Sequence, residues 1–215
     1  MSLFRLDASI RPGTSASSEL ADVVEAEWSA THPGTPVVRR HLGVEPLPAD
    51  AWAHAHLGAI TPEPDRTPAQ RAARRLAESL VAELEDADAV LLAVPLYNFG
   101  VSQHFKTWVD LVIAGSPVGR PVLEHKPTVL VTVRGGGYAP GTPRDGWDHS
   151  TPYLRRILAD LWRADLTVVE RELTLAATTP GMEHLRPLAA DLHRQALAAA
   201  RDAARDTARS VVVRR

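Results

Sequence analysis

The sequence predicts an α/β protein built on a five-stranded parallel sheet in the order 2-1-3-4-5, with helices on both faces. Two continuously apolar runs carry this reading, AVLLAV at residues 89–94 and TVLVTV at residues 128–133. A strand covered by helices on both sides has no polar face to alternate with, and reads as such a run. Segments of helical period also alternate with strand-like segments along the chain, which implies parallel pairing through right-handed crossovers. A length of 215 residues suits one domain, spanning the whole chain, with a full core.

The first strand is LFRL, residues 3–6. A helix follows over residues 17–30, where Leu20, Val23, Val24 and Trp28 recur at helical spacing. VVRRHL, residues 37–42, makes a second or edge strand. The proline-rich segment 43–68 has no clear period and reads as a surface excursion. Thr67 then caps a helix with Pro68 at its first position, running to about Asp86 with Leu76, Leu80, Val81 and Leu84 along one side. After the third strand comes a turn at Tyr97 and a helix marked by Phe105, Trp108, Val109 and Val112. The fourth strand ends in Arg134-Gly135-Gly136-Gly137. Residues 151–162 read as a helix, 166–173 as the fifth strand and 183–209 as a long Ala/Arg-rich closing helix.

Composition removes several function classes. The 24 Lys and Arg nearly balance the 26 Asp and Glu, so no net field favours nucleic acid or an anionic membrane, and a small-molecule partner is expected. The absence of cysteine excludes disulfides, thiolate nucleophiles, Cys-ligated zinc and redox-active Cys pairs. Any redox chemistry therefore needs a cofactor. The N-terminus lacks a basic region followed by an apolar segment, and no apolar run reaches the roughly 18 residues of a membrane span. A cytoplasmic protein is the expectation. His54 and His56 lie in the proline-rich segment without a second ligand cluster, which leaves a metal site unsupported. G-x-S-x-G is absent, and the first loop carries neither a Walker A motif nor G-x-G-x-x-G.

In a doubly wound sheet, ligands lie beyond the carboxyl ends of the strands where strand order reverses. Three loops end there. The first, SIRPGTSASS, leads into a helix, and its amides, helix dipole and the hydroxyls of Ser9, Ser15, Ser17 and Ser18 suit a terminal phosphate. The same serines would also serve simply as helix caps. The second, PLYNFG, offers Asn98 and nearby amides to the polar edge of a flavin, with Tyr97 or Phe99 against its apolar part. The alternative is that both aromatics are core residues at a strand-to-helix junction. The third, RGGG, permits close approach of backbone to a planar ligand, or is an ordinary flexible turn. The three together at successive strand ends point to a flavin more strongly than any one.

At these loops the chain resembles the FMN-dependent NADH:quinone oxidoreductases and azoreductases of the flavodoxin-like superfamily. The matching elements, in order, are Ser9-Ile10 and Gly13-x-Ser15-x-Ser17, Thr67-Pro68, Pro95-x-Tyr97-Asn98-Phe99, Lys106 with Asp110-Leu111-Val112, Arg134-Gly135-Gly136, and Thr151-Pro152-Tyr153-Leu154. The resemblance covers most of the chain, and P-x-Y-N-F is its most specific part. It implies FMN, with the phosphate on Ser9, Ser15, Ala16 and Ser17 and the ring between Leu96, Tyr97, Asn98 and Phe99 on one side and Val133, Arg134, Gly135 and Gly136 on the other. It also implies NADH or NADPH as donor, a ping-pong cycle to an electron-poor acceptor, and a homodimer with flavin sites at its interface. A flavodoxin-like electron carrier is the rival reading.

The chain departs from the family pattern at several positions. Arg11 stands where the family is apolar, placed either to assist the phosphate or to face water. Val133 replaces a small polar residue. The segment after Ala114 is shorter than in the family, which implies a more open pocket. Phe99, Tyr138, Asp160 and Trp162 are the candidates for the acceptor pocket, with Asp160 where the family carries an aromatic and Trp162 one alignment shift away.

Overall fold

In the computed structural model, which describes residues 1–213, five strands form one parallel sheet in the order β2-β1-β3-β4-β5. They are β1 (Leu3–Asp7), β2 (Val37–His41), β3 (Ala89–Pro95), β4 (Pro127–Val133) and β5 (Asp165–Arg171). Every residue of the central β3 and β4 is buried, whereas the edge strands β2 and β5 retain exposed positions. From β1 the chain moves outward to β2, then returns across β1 to β3. The reversal places the switch point at the carboxyl ends of β1 and β3.

Six α-helices accompany the strands among the described residues: α1 (Ala16–Thr31), α2 (Ala51–Ile60), α3 (Pro68–Glu85), α4 (Gln103–Gly115), α5 (Thr151–Arg155) and α6 (Arg186–Val213). Alternation along each strand divides the core between the two helix layers. Phe4, Leu6, Val90, Leu92 and Val94 join the cluster under α2, α3 and α4, and Leu3, Leu91, Ala93, Val129 and Val131 join that under α1 and α6. α3 begins as its sequence implies, with a Thr67–Gln70 capping box and Pro68 inside the first turn.

The strand β1 carries two charges into this interior. Arg5 bonds Asp7 at 2.8 Å and Asp22 at 2.7 Å. Burial opposes the Arg5 charge, but these carboxylates outweigh it and hold the guanidinium above its ordinary range.

The segment 43–68 is not without structure: it contains α2. The helix packs through Ala51, Ala55 and Gly58, which are buried, while Trp52, Leu57 and Ile60 are exposed. A Cβ on Gly58 would stand 3.0 Å from Arg74 Cγ. Small residues make the contact, so the large-apolar periodicity that marks a core helix is missing. The expected helix over 151–162 is also different in kind. Five α-helical residues pass into a π-helical stretch, Arg156–Leu161. β5 ends at Arg171 rather than Leu173, whose φ of 57° takes it out of the strand. No helix among the described residues is long and apolar enough to cross a membrane, and no group of three or more His, Asp or Glu there could hold a metal.

Candidate functional site

The loops after β1, β3 and β4 converge at the switch point on a cleft of about 120 Å³ lined by Ser9, Arg11, Ser15, Ala16, Leu96, Tyr97, Val133 and Gly135, together with Pro95, Thr174 and Leu175. A larger cavity of about 700 Å³ opens beside the same first loop, among Arg5, Asp7, Glu25 and Arg39. There the charges answer one another, with Arg5 on Asp7 and Arg39 on Glu25. The smaller cleft holds the convergent loops, so its geometry decides the chemistry.

At one end is the start of α1. Ser15 caps it, accepting from the Ser18 amide at 3.3 Å and sharing a hydrogen bond of 2.9 Å with the buried Ser17 hydroxyl. The first backbone bond of the helix is Glu19 to Ser15, so the amides of Ala16 and Ser17 precede it without a backbone acceptor. Two such donors at a positive helix end form a ready seat for a phosphate oxygen. Ser9 is buried, and its hydroxyl accepts from the Arg11 amide at 3.1 Å. Ser18 is committed elsewhere, donating to Asp7 at 2.6 Å.

The turn after β3 is strained in a specific way. Asn98 and Phe99 both have positive φ, 48° and 67°, and Tyr97 and Gly100 exchange both backbone hydrogen bonds around them. That is a two-residue turn of the kind that favours Asn and Gly, and a bulky Phe there costs about 1–3 kcal/mol. The Tyr97 hydroxyl reaches back to the first loop, 3.3 Å from Ser9 Oγ and accepting from the Ile10 amide at 3.2 Å. Its polar end thus joins two loops while its ring lines the cleft. Phe99 at the tip meets Trp147 edge to face at 5.4 Å, and its carbonyl accepts from the His149 amide.

After β4 the chain continues to alternate. Val133 and Gly135 line the cleft, whereas the Arg134 side chain turns away into a cluster that bonds Asp148 at 2.6 Å, Glu170 at 2.9 Å and the Thr151 hydroxyl at 3.0 Å. Burial opposes the Arg134 charge, but Glu170 and Asp148 prevail and keep it above its ordinary range. Glu172, 3.4 Å from the same guanidinium, accepts from the Tyr138 and Ala139 amides. The arginine therefore anchors the loop that leaves the glycines. A Cβ on Gly135 would stand 2.7 Å from Leu175 Cδ1, so the missing side chain is what lets Leu175 pack against the turn at the edge of the cleft.

Asp160 and Trp162 are not among the residues that line this cleft. Asp160 is exposed and paired with Arg156 at 2.7 Å, and Trp162 is buried edge to face against Trp108. Residues unmarked by the sequence complete the cleft: Thr174 and Leu175 donate their amides to Arg134 and Gly135. No motif announces them. They arrive because the chain beyond β5 runs alongside the glycine turn.

This arrangement offers donors for a phosphate monoester at one end and a narrow slot among Leu96, Tyr97, Val133 and Leu175 at the other. Residues 1–170 match the Flavodoxin_2 family model, described as a flavodoxin-like fold. An FMN-dependent NADH:quinone oxidoreductase of Frankia casuarinae is 36% identical over 207 residues, covering 93% of this chain and 96% of the relative. Its counterpart in Streptomyces avermitilis is 37% identical, with 94% and 96% covered. The azoreductase of Bacillus anthracis superposes with a TM-score of 0.74 at 20% identity, over 95% of this chain and 98% of that one. A Bacillus anthracis FMN-dependent NADH-azoreductase in complex with FMN gives 0.72 at 13% identity, over 96% and 99%.

Proposed function

Because the chain belongs to the family of FMN-dependent NADH:quinone oxidoreductases, we propose that the switch-point cleft is its flavin site and that the reaction is carried out there. The protein is an FMN-dependent NAD(P)H oxidoreductase acting on quinone or azo acceptors. When bound, FMN supplies the two-electron centre that links donor to acceptor in a ping-pong cycle. Overall, NADH and a proton from solvent convert the quinone to its hydroquinone and leave NAD⁺.

The residues divide the work. Ser15, with the amides of Ala16 and Ser17, receives the phosphate at the helix N-terminus, and Ser9 and Arg11 close that end. Leu96 and Val133 supply apolar walls for the ring, and Gly135 admits Leu175 beside them. Asn98, presented on the strained turn, and nearby amides meet the polar edge of the ring, where fixed donors stabilise negative charge. The carrying observation is the Tyr97 hydroxyl, which locks the phosphate loop to the Asn98 turn and so sets both ends of the site as one unit.

We also propose a homodimer with the flavin sites at its interface. Trp52, Leu57 and Ile60 on α2 and Ile113 on α4 expose large apolar area on adjoining helices, which a partner copy would cover.

Purified protein should be yellow, or become so with FMN, and NADH should bleach it in the absence of oxygen. Flavin that binds but is reduced by neither nicotinamide would leave an electron carrier. A protein that does not bind FMN would remove both readings.

A further inference from the structure

We propose that Arg144 selects the acceptor: its guanidinium receives the anionic substituent of a planar aromatic acceptor, a carboxylate, sulfonate or ionised phenol, whose ring lies among Phe99, Tyr138 and Trp147. The inference rests on the oxidoreductase reading above and names the substrate class that this site prefers.

Arg144 is set apart by what it lacks. Five other arginines around this end of the sheet are answered by carboxylates: Arg5 by Asp7, Arg39 by Glu25, Arg40 by Glu83, Arg134 by Asp148 and Arg171 by Glu19. Arg11, at the phosphate end of the cleft, is the exception in that loop. Arg144 makes no ion pair and no side-chain hydrogen bond among the described residues. The neighbouring Asp145 carboxylate is occupied by the Gly141 amide at 3.2 Å. What holds Arg144 is aromatic: its guanidinium carbon lies 6.0 Å from the Phe99 ring centroid and 5.8 Å from that of Tyr138. A cation held over π faces keeps its N–H donors free for an incoming anion.

Its position ties it to the site. Nη1 lies 2.5 Å from where a Cβ on Gly136 would stand, so the guanidinium rests directly against the glycine turn beside the cleft. The missing side chain of Gly136 is the space it occupies. Around it, Trp147 is 51% exposed and Phe99 38%. The Phe99 ring is fixed by the strained turn, by the Trp147 edge contact and by the His149 amide on its carbonyl. Open aromatic surface next to an uncompensated, planar cation is complementary to an aromatic ring bearing negative charge. The cofactor phosphate does not compete for this cation, because its seat at Ser15 and Ser17 belongs to the α1 end of the cleft.

The test compares anthraquinone sulfonate with its neutral hydroxymethyl analogue on FMN-loaded, oxidised protein. Equilibrium dialysis should show the sulfonate binding about tenfold more tightly, as a charge-assisted contact provides. The ratio should fall to about one in Arg144→Gln and invert in Arg144→Glu, and kcat/KM for the pair should follow it. High salt should erode the wild-type ratio and leave that of Arg144→Gln in place. FMN reduction by NADH is measured in parallel. If FMN is not reduced, the oxidoreductase reading fails and this proposal with it. If reduction is normal but the wild-type ratio is near one, or neither variant moves it, the proposal alone is overturned. It is equally overturned if the variants weaken NADH binding and leave the acceptor ratio unchanged, since the cation would then serve the donor's phosphates.

Discussion

Replacing Arg134 with Met removes the cation that Asp148, Glu170 and Glu172 share, and leaves Glu170 only its 3.7 Å pair with the exposed Arg155. Arg134 is 7% exposed at its side chain, Asp148 15% and Glu172 16%, while Glu170 at 38% is partly screened by water. Breaking a buried pair by deleting one partner costs about 3–5 kcal/mol, and the solvent at Glu170 argues for the lower end, about 3 kcal/mol. For a chain of this size that lowers Tm by roughly 6–12 °C. Burial opposes the Asp148 charge, but the Thr151 amide and hydroxyl, with Arg134, hold its carboxyl below the ordinary range. A lowered folded pKa contributes stability that is present above the unfolded carboxylate value, about 3.9, and is lost as pH falls through the folded value. The gap between wild type and Arg134→Met should therefore be full at neutral pH and close progressively in acid, where the stranded carboxylates protonate. Thermal unfolding of flavin-free protein across that pH range measures it. A gap below about 2 °C at neutral pH, or one that acid does not narrow, would refute the anchoring role given to Arg134.

Other outcomes follow from the same geometry. If Ser15 seats the phosphate as proposed, Ser15→Ala should weaken FMN about tenfold while leaving riboflavin affinity nearly unchanged; fluorescence titration with both flavins separates the two. Tyr97→Phe deletes contacts to Ser9 and Ile10, and should cost about 1 kcal/mol in denaturant unfolding together with a several-fold loss of FMN affinity. Phe99→Gly relieves the positive φ but forfeits the Trp147 contact, terms of about 1 kcal/mol each that oppose one another. Its Tm should stay close to that of wild type while quinone turnover falls. Asp160→Asn breaks only an exposed pair with Arg156, so melting should shift by about 1 °C or less; a larger shift would mean that Asp160 does more than pair on the surface.

The architecture was legible because its cause is local. AVLLAV and TVLVTV occupy strands with both faces covered, and such strands must be apolar throughout. Thr67-Pro68 starts α3 with chemistry that acts within one turn. α2 escaped because Ala51, Ala55 and Gly58 pack by being small, and smallness leaves no periodic apolar signal. The π-helical stretch at Arg156–Leu161 escaped because it reads like any helix in sequence.

The sequence by itself determined the sheet, its switch point and the three loops that meet there, since each loop follows directly from the strand before it. Tertiary structure decided which atoms face the cleft. The Tyr97 hydroxyl finds Ser9, 88 positions away, and Arg134 turns from the slot that Val133 and Gly135 line. Thr174 and Leu175 enter from beyond β5, and Arg144 comes to rest against Gly136 under two aromatic rings. These placements depend on contacts between loops far apart in the chain, which no local spacing encodes.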